Sequence, residues 1–486
     1  MNVSLAPELL AEFSDFVAAH MGLNFPSDRW PDLLRGIRLA AQESGTTHVD
    51  TWVRKLMTAK LSRHQLELLA SHLTVGETYF YREHRSFEIL TGRILPELIR
   101  ARRGREPHLR LWSAGCCTGE EAYSLAIAVQ HALPDLPNWQ VTILASDINP
   151  HFLHKAETAV YGDWSFRDAP AWLKGGYFTV TGPNKHTLLP NIKQMVTFEY
   201  LNLVDDVYPT LPTVTNAMDV IFCRNVLMYF TPEQTQRVLA KLHHSLVDGG
   251  WLVLSASEAM QGLSQDFIPV NFDGVFAYQK GGGRPRTEFI RSEPAARPAV
   301  VPVVPASPPP TRVVHVPKAE IVHARAAKYY TEGRYAAAAD VLLELCARPL
   351  PEQRSMVLLV HCLANLSRFA EALDWSDRVV AAVKLNPGGH YLRATILQEQ
   401  GALDEARRAL LSALFLDREF VLAHFALGNL ARNAGKFTEA EKHFANALRC
   451  LRGHNPDAIL PESDGITAGR LAEIIASTLE AEAVIE

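Results

Sequence analysis

Over the first hundred residues, apolar side chains recur at i, i+3 and i+4. This pattern predicts helices in SLAPELLAEFSDFVAAHMG, DRWPDLLRGIRLAAQESG, VDTWVRKLM and RHQLELLASHL, so residues 1–100 read as an all-helical unit. From residue 109 the pattern changes. LRLWSAG is a strand and a turn, EEAYSLAIAVQHAL a helix, VTILASDIN a strand ending in an acid, and MDVIFCRN a buried strand. PEQTQRVLAKLHHSLVDGG reads as a helix ending at its glycines, and WLVLSASE as a further strand. Alternating β and α segments with continuously apolar strands predict a parallel sheet covered on both faces, over 101–280.

Residues 281–318 break the pattern. Nine of the 29 prolines fall in these 38 residues, which predicts an extended linker, since proline supplies no N–H to a helix or a ladder. Beyond it the helical pattern returns with a period. Gly333, Ser367, Gly401 and Gly435 stand 34 residues apart, as do Tyr335, Phe369, Leu403 and Phe437, and Ala338, Ala372, Ala406 and Ala440. Three columns at that period predict about four tetratricopeptide repeats over 319–452. The small residue allows the turn between paired helices, the aromatic or leucine seals it, and the alanine lets the helices approach. The second repeat is degenerate, with Ser367 at the turn and Ser376 at an apolar position. Residues 453–486 read as a loop and a capping helix. Solenoids of this kind offer a concave face to peptides or helices.

Length and composition narrow the class. A chain of 486 residues suggests about three domains. Charged residues make up 21% and the net charge is -5, which argues against a nucleic-acid coat. No apolar run is long enough to cross a bilayer, and MNVSLAPELLAEF lacks the basic start of a signal peptide. Six scattered cysteines without a C-x-x-C pair fit a reducing cytosol, with neither a disulfide framework nor a metal site expected. The expectation is a cytoplasmic protein without membrane insertion.

Four segments carry candidate chemistry. In LWSAGCCTGEEAYSLA a strand runs into Gly115 and Gly119 and then a helix, an arrangement that brings backbone close to a ligand, although any βα turn can look the same. Asp147 ends the second strand, where an acid can hold a ribose diol or equally cap the helix after Pro150. FCRNVLMYF brings Arg224 and Asn225 to a sheet edge, and a charge in that apolar setting needs a partner. TVGETYFYREHRSFEIL sets Thr78 and Arg82 among three aromatics that also suit packing between units.

Taken together and in order, TYFYRE, WSAGCCTGEEAYSLA, ASDIN and FCRNVLMYF resemble the CheR family of chemoreceptor methyltransferases over about 5–280, and the repeats resemble its tetratricopeptide-tailed members. The resemblance implies an α/β Rossmann-like class I methyltransferase domain, preceded by an all-α domain and followed by an all-α solenoid. It implies S-adenosylmethionine over the strand ends and methyl transfer to receptor glutamates. Residue by residue, it implies cofactor contacts from Thr78, Arg82, Glu120 (in preference to Glu121), Asp147 at the ribose, Asn202 and Leu203 beside adenine, and Arg224 and Asn225 near the methionine part. Arg82 and Tyr229 would steer the acceptor oxygen. Two positions depart from the family pattern: Gly76, where asparagine is frequent, and Cys117, where serine is usual. Residues 160–198 occupy the place of a small β-subdomain that grips a receptor-tail peptide in some members. The implied partners are receptor methylation helices and, through the repeats, a response regulator or another signalling protein. Finally, residues 28–63 hold Arg29, Arg35, Arg38, Arg54, Lys55, Lys60 and Arg63 against Asp28, Asp32, Glu43 and Asp50, an excess of three positive charges that suits acidic helices and equally a solvated face.

Overall fold

The computed structural model describes residues 5–46, 48–58, 61–103, 107–210, 213–258, 267–272, 275–281, 319–348, 351–463 and 465–483. The proline-rich stretch lies outside them, apart from residue 281. Helices α1 (Pro7–Met21), α2 (Trp30–Glu43), α3 (Val49–Thr58) and α4 (Arg63–Leu73) bury their apolar stripes against one another around Phe13, Leu33, Ile37 and Leu69. Ser62 starts α4 with a reciprocal cap: its hydroxyl accepts the Gln65 N–H at 3.2 Å and the Gln65 side chain accepts the Ser62 N–H at 2.8 Å. The expectation of helix throughout 1–100 needs correction at 74–83, a non-helical strip with Tyr81 and Glu83 at positive φ. Helix returns in α5 (His84–Ile89), a π-helical turn over Leu90–Ile94, and α6 (Leu95–Arg102).

The α/β body follows as β1 (His108–Ala114), α7 (Glu120–Ala132), β2 (Gln140–Asp147) and α8 (Pro150–Thr158). A side unit is built from β3 (Val160–Tyr161), α9 (Ala171–Tyr177), β4 (Phe178–Gly182) and β5 (Lys185–Leu188), its three strands antiparallel in the order β3-β5-β4. After the short α10 (Pro190–Lys193), β6 (Val196–Tyr200) leaves this unit and joins the main sheet beside β2. The body closes with β7 (Met218–Phe222), α11 (Pro232–Ser245), β8 (Leu246–Val253), β9 (Phe267–Phe272) and β10 (Val275–Lys280). Among the described residues the main sheet has seven strands in the order β6-β2-β1-β7-β8-β10-β9.

Two expectations are corrected here. The sheet is mixed, because β10 runs antiparallel to both β8 and β9. And α11 stops at Ser245, before the glycines: Gly249, at φ +80°, lies in β8, where the register to β7 slips between Met218 and Val220. The fold class stands: this is a class I methyltransferase body, its two faces covered by the cores around Tyr123 and Phe222 and around Trp112 and Leu242.

Among the described residues the tail forms four helix pairs: α12 (Ala319–Thr331) with α13 (Tyr335–Cys346), α14 (Gln353–Asn365) with α15 (Phe369–Ala382), α16 (Pro387–Glu399) with α17 (Leu403–Leu416), and α18 (Val421–Asn433) with α19 (Phe437–Leu451). Helix α20 (Ala468–Ala483) packs on the last pair. The 34-residue period has a backbone cause. Gly333, Ser367, Gly401 and Gly435 all turn at φ between 57° and 73°, and Ala338, Ala372, Ala406 and Ala440 are fully buried between paired helices. The aromatic column does not seal every turn. Tyr335 and Phe369 are buried because the methyltransferase body covers them, with Lys280 over the Tyr335 ring and His108 against Phe369, whereas Leu403 and Phe437 are exposed.

Ser367 is the exception in the turn column. A non-glycine residue in the left-handed region is strained, and its buried hydroxyl has no hydrogen-bond partner among the described residues. Ser367→Gly is therefore expected to stabilise the tail by about 0.5–1 kcal/mol, net of glycine's extra freedom when unfolded. A thermal midpoint that stays level or falls would refute this.

The solenoid is docked on the body. Arg110, on β1, forms a buried ion pair with Glu399 at the end of α16. Arg432 pairs with Glu199 at 2.8 Å and Arg470, on α20, with Asp205 at 3.0 Å. Arg63 of the helical cap donates to the Glu473 carbonyl at 3.1 Å. These contacts place α16, α18 and α20 beneath the sheet, against the starts of β1 and β2 and along β6.

Candidate active site

A cleft opens where β1, β2 and β7 end, the rim at which a doubly wound sheet leaves room for a ligand. Gly115, Cys116, Cys117 and Asp147 form its floor, Leu201–Leu203 one wall, and Arg224–Val226 with Tyr229 another. The helical cap adds Leu23, Asn24, Phe25 and Arg29, and the 74–83 strip adds Val75, Thr78 and Arg82. Of the residues the resemblance assigned, the cleft gathers Thr78, Arg82, Asp147, Asn202, Leu203, Arg224, Asn225 and Tyr229.

Asp147 is the best-defined polar group on the floor. One carboxylate oxygen accepts the Cys117 N–H and the other the Asn149 N–H, both at 2.8 Å. Each oxygen keeps a lone pair for a ligand. Burial pushes the carboxyl up to about 6, with the backbone donors at Asn149 and Cys117 pulling the other way. The capping alternative falls to a neighbour: Asn149, not Asp147, accepts the N–H groups of His151 and Phe152 and so caps α8.

Of the two glutamates, the cleft is lined by Glu121 and not by Glu120, the one preferred from the resemblance. Glu120 is turned away from the cleft, where one oxygen accepts the Thr118 hydroxyl at 2.6 Å and the other the Ser165 hydroxyl at 2.9 Å. Glu121 lines the cleft, accepting from Ser113 at 2.8 Å and pairing with Arg224 at 3.3 Å. Burial raises the Glu121 carboxyl, opposed by the Arg224 charge. Arg224 itself is spent on structure: it pairs with Glu121 and Glu83 and donates to the Arg82 carbonyl at 2.5 Å, and its side chain is 1% exposed. It ties strip, sheet and α7 together beneath the cleft.

The remaining candidates divide by how free they are. Asn202 gives its amide to the His20 carbonyl at 2.8 Å and to Asp205 at 3.0 Å, so it joins cap to wall. Asn225 sits at φ +57° on the wall. Arg82 donates one N–H to the Glu77 carbonyl at 2.6 Å and otherwise keeps its fork in the cleft. Tyr229 accepts the Asn24 N–H on its carbonyl at 2.6 Å and has the Arg29 guanidinium 5.7 Å above its ring. Sequence reasoning missed Glu83 and Glu258 and gave Arg29 only to the basic cluster. The signal for Glu258 was Ser255-x-x-Glu258 directly after a strand, a pairing usually found at helix starts.

Residues 76–276 match the family model described as CheR methyltransferase, SAM binding domain. Chemotaxis protein methyltransferase 1 of Pseudomonas aeruginosa is 36% identical over 218 residues, which is 44% of this chain and 77% of that protein. The chain belongs to the CheR family. Chemotaxis protein methyltransferase 2 of Vibrio cholerae is 33% identical over 45% of this chain and 74% of that protein. The chemotaxis protein methyltransferase of Borreliella burgdorferi is 28% identical over 54% of this chain and 92% of its own. The MamA structure from Desulfovibrio magneticus RS-1 aligns with 28% of the chain and 78% of its own, at 22% identity and a TM-score of 0.27; the tail's architecture rests on its own helix pairs.

As a CheR protein the chain is an S-adenosylmethionine-dependent methyltransferase. The cleft fits that cofactor: a diol can bridge the two half-satisfied oxygens of Asp147, and the glycine turn admits close approach of the backbone. Both departures from the CheR pattern have a steric or backbone reason. A Cβ on Gly76 would stand 2.7 Å from the ring of Phe152, which itself lines the cleft and takes the space an asparagine would need. Cys117 serves Asp147 through its backbone N–H, so serine and cysteine do that work equally.

Proposed function

We propose that this enzyme methylates side-chain carboxylates of glutamates on chemoreceptor methylation helices, in a cytoplasmic chemosensory pathway. The observation that carries the reading is a pair of arginines in the cleft beside Tyr229. Arg82 and Arg29 line the cleft beside Tyr229, while Arg224, beneath them, is already neutralised by Glu83 and Glu121. Two cations in the cleft suit an incoming anion. The names of the relatives point the same way, toward chemotaxis.

A glutamate is ionised at neutral pH, with a reference pKa of about 4.3, so the acceptor needs no general base. The bound cofactor supplies an electrophilic methyl on a sulfonium, a good leaving group. Asp147 fixes the nucleoside end. Arg82 and Tyr229 orient the acceptor oxygen, and the apolar wall of Leu23, Phe25 and Leu203 excludes water from its path. Too tight an ion pair would blunt the nucleophile. The Glu77 carbonyl holds part of the Arg82 fork, which tempers that grip.

The basic cluster contributes less than its count suggests. Arg63 is buried against Glu67 and Glu473 and stacks 4.0 Å over Tyr200, so it is withdrawn from docking, whereas Arg35, Arg54 and Lys55 are exposed. The repeats would dock a response regulator or another signalling protein by surfaces left outside the body contact, where Leu385 and Phe415 are 81% and 87% exposed.

The test is incubation with tritiated cofactor and candidate receptor cytoplasmic domains. Base-labile release of volatile methanol supports a glutamyl ester, and base-stable label overturns it. Arg82→Ala is expected to cut transfer at least tenfold with cofactor-product affinity changed much less, because it loses an orienting contact. Wild-type turnover in that variant would remove Arg82 from the mechanism.

A further inference from the structure

We propose that Glu258 is a positioning residue for cofactor binding: its buried carboxylate holds residues 225–228 in the shape that walls the cleft. The chain reverses at the end of β7 with Asn225 in the left-handed region, and this turns several main-chain N–H groups toward one point. A concavity of backbone N–H groups attracts an anion. Here the chain supplies its own. One oxygen of Glu258 accepts from Val226 at 2.7 Å and Met228 at 3.2 Å. The other accepts from Asn225 at 2.8 Å, the Ser255 N–H at 3.2 Å and the Ser255 hydroxyl at 2.5 Å. Glu258 is 2% exposed and does not line the cleft, whereas Asn225 and Val226 do.

What hangs on this carboxylate reaches three parts of the site. Val226 closes over the glycine turn so tightly that a Cβ on Gly115 would lie 2.4 Å from its side chain. Asn225 stands on the wall itself. Further along the same segment, Tyr229 accepts from Asn24, and Phe230 bridges to Leu23. The helical cap, the glycine turn and the wall therefore share one internal counter-anion, presented from the far side of the segment.

Filling space is not the same as accepting hydrogen bonds, and Glu258→Gln separates the two. Glutamine has the same length but one acceptor oxygen, and in either orientation its NH2 faces N–H donors. In the intact chain, calorimetry with S-adenosylhomocysteine at a temperature where the variant is fully folded should show at least tenfold weaker binding. Hydrogen exchange of the 223–230 peptide in the ligand-free protein should be faster than in the parent. A residue with only a scaffolding role would lower the thermal midpoint and leave both readouts on the folded protein unmoved. A folded E258Q with affinity within threefold of the parent and unchanged exchange overturns the proposal. Should E258Q not fold, Ser255→Ala removes one donor from the same oxygen; about threefold weaker binding with faster exchange supports the assignment, and no change in either overturns it.

Discussion

Asp147→Ala is expected to weaken S-adenosylhomocysteine binding at least a hundredfold. The carboxylate is buried and half-satisfied, with one backbone N–H on each oxygen. Two hydroxyl donors would complete it, and a hydrogen bond to a charged group contributes about 1.5–3 kcal/mol. At about 1.4 kcal/mol per tenfold, two such bonds span roughly two to four decades. Calorimetry gives the number, and a loss under tenfold would take the ribose away from Asp147.

The same group predicts a pH dependence with opposite signs for binding and stability. In the free fold the carboxyl titrates at about 6, against an ordinary value of 3.8 for an aspartate. The folded chain thus holds this proton more tightly than the unfolded chain does. The resulting stability is complete below the unfolded value and is lost as pH rises through about 6. At neutral pH the ligand-free enzyme therefore carries an ionised buried acid at a cost of about 3 kcal/mol, because each tenfold gain in proton affinity is worth about 1.4 kcal/mol. A diol donating to both oxygens relieves that cost. Product affinity should rise from pH 5 to pH 7 while this group's share of apo stability falls, and both slopes should shrink in the alanine variant. An affinity flat across that range would contradict the burial of the charge.

Glu399→Ala is expected to destabilise the chain by about 3 kcal/mol, the low end for stripping one partner from a buried ion pair. Arg110 and Glu399 are 3% and 7% exposed in their side chains. Among the described residues the guanidinium would keep hydrogen bonds to the carbonyls of Val214 and Asn216, at 3.0 and 3.2 Å, and the nearby charge of Asp219, but would lose its directly paired anion while still buried. Adding Arg110→Met should recover part of the loss, because an apolar side chain needs no counter-charge. A denaturation midpoint unmoved by Glu399→Ala would mean that tail and sheet are not held together by this pair.

Legibility in the sequence followed the range of the forces. The solenoid could be read because its turns recur: each pair needs a left-handed residue and a small one at fixed positions, and both needs are local. The class I body could be read from β1, β2 and β7, whose largely apolar sequences go with full burial along β1, β7 and the second half of β2. The β9–β10 pair escaped because β9 is an edge strand that carries Pro269 and leaves Ile268, Pro269 and Asn271 exposed, so it lacks both the buried run and the clean alternation of a strand. At the site, Asp147 was legible as an acid ending a strand. Glu120 and Glu121 were not separable, because neighbours on a helix point about 100° apart and only the packed fold shows which of them meets the cleft. The partners of the Arg224 side chain, Glu83 and Glu121, could not be read because they lie far from it in the chain. The same distance hid the 289-residue span between Arg110 and Glu399.

The grip of α20 on Asp205 carries a lesson for anyone recombining these modules. One oxygen of that carboxylate takes Arg470 and the other takes Asn202, which in turn fastens His20 of the cap. Severing the chain near residue 281 would take Arg470 from Asp205, the carboxylate that holds Asn202 of the cleft wall, and lay the buried guanidinium of Arg110 open to water. A transplant of this tail onto a foreign methyltransferase would have to carry Arg110, Glu199 and Asp205 with it as matching sockets.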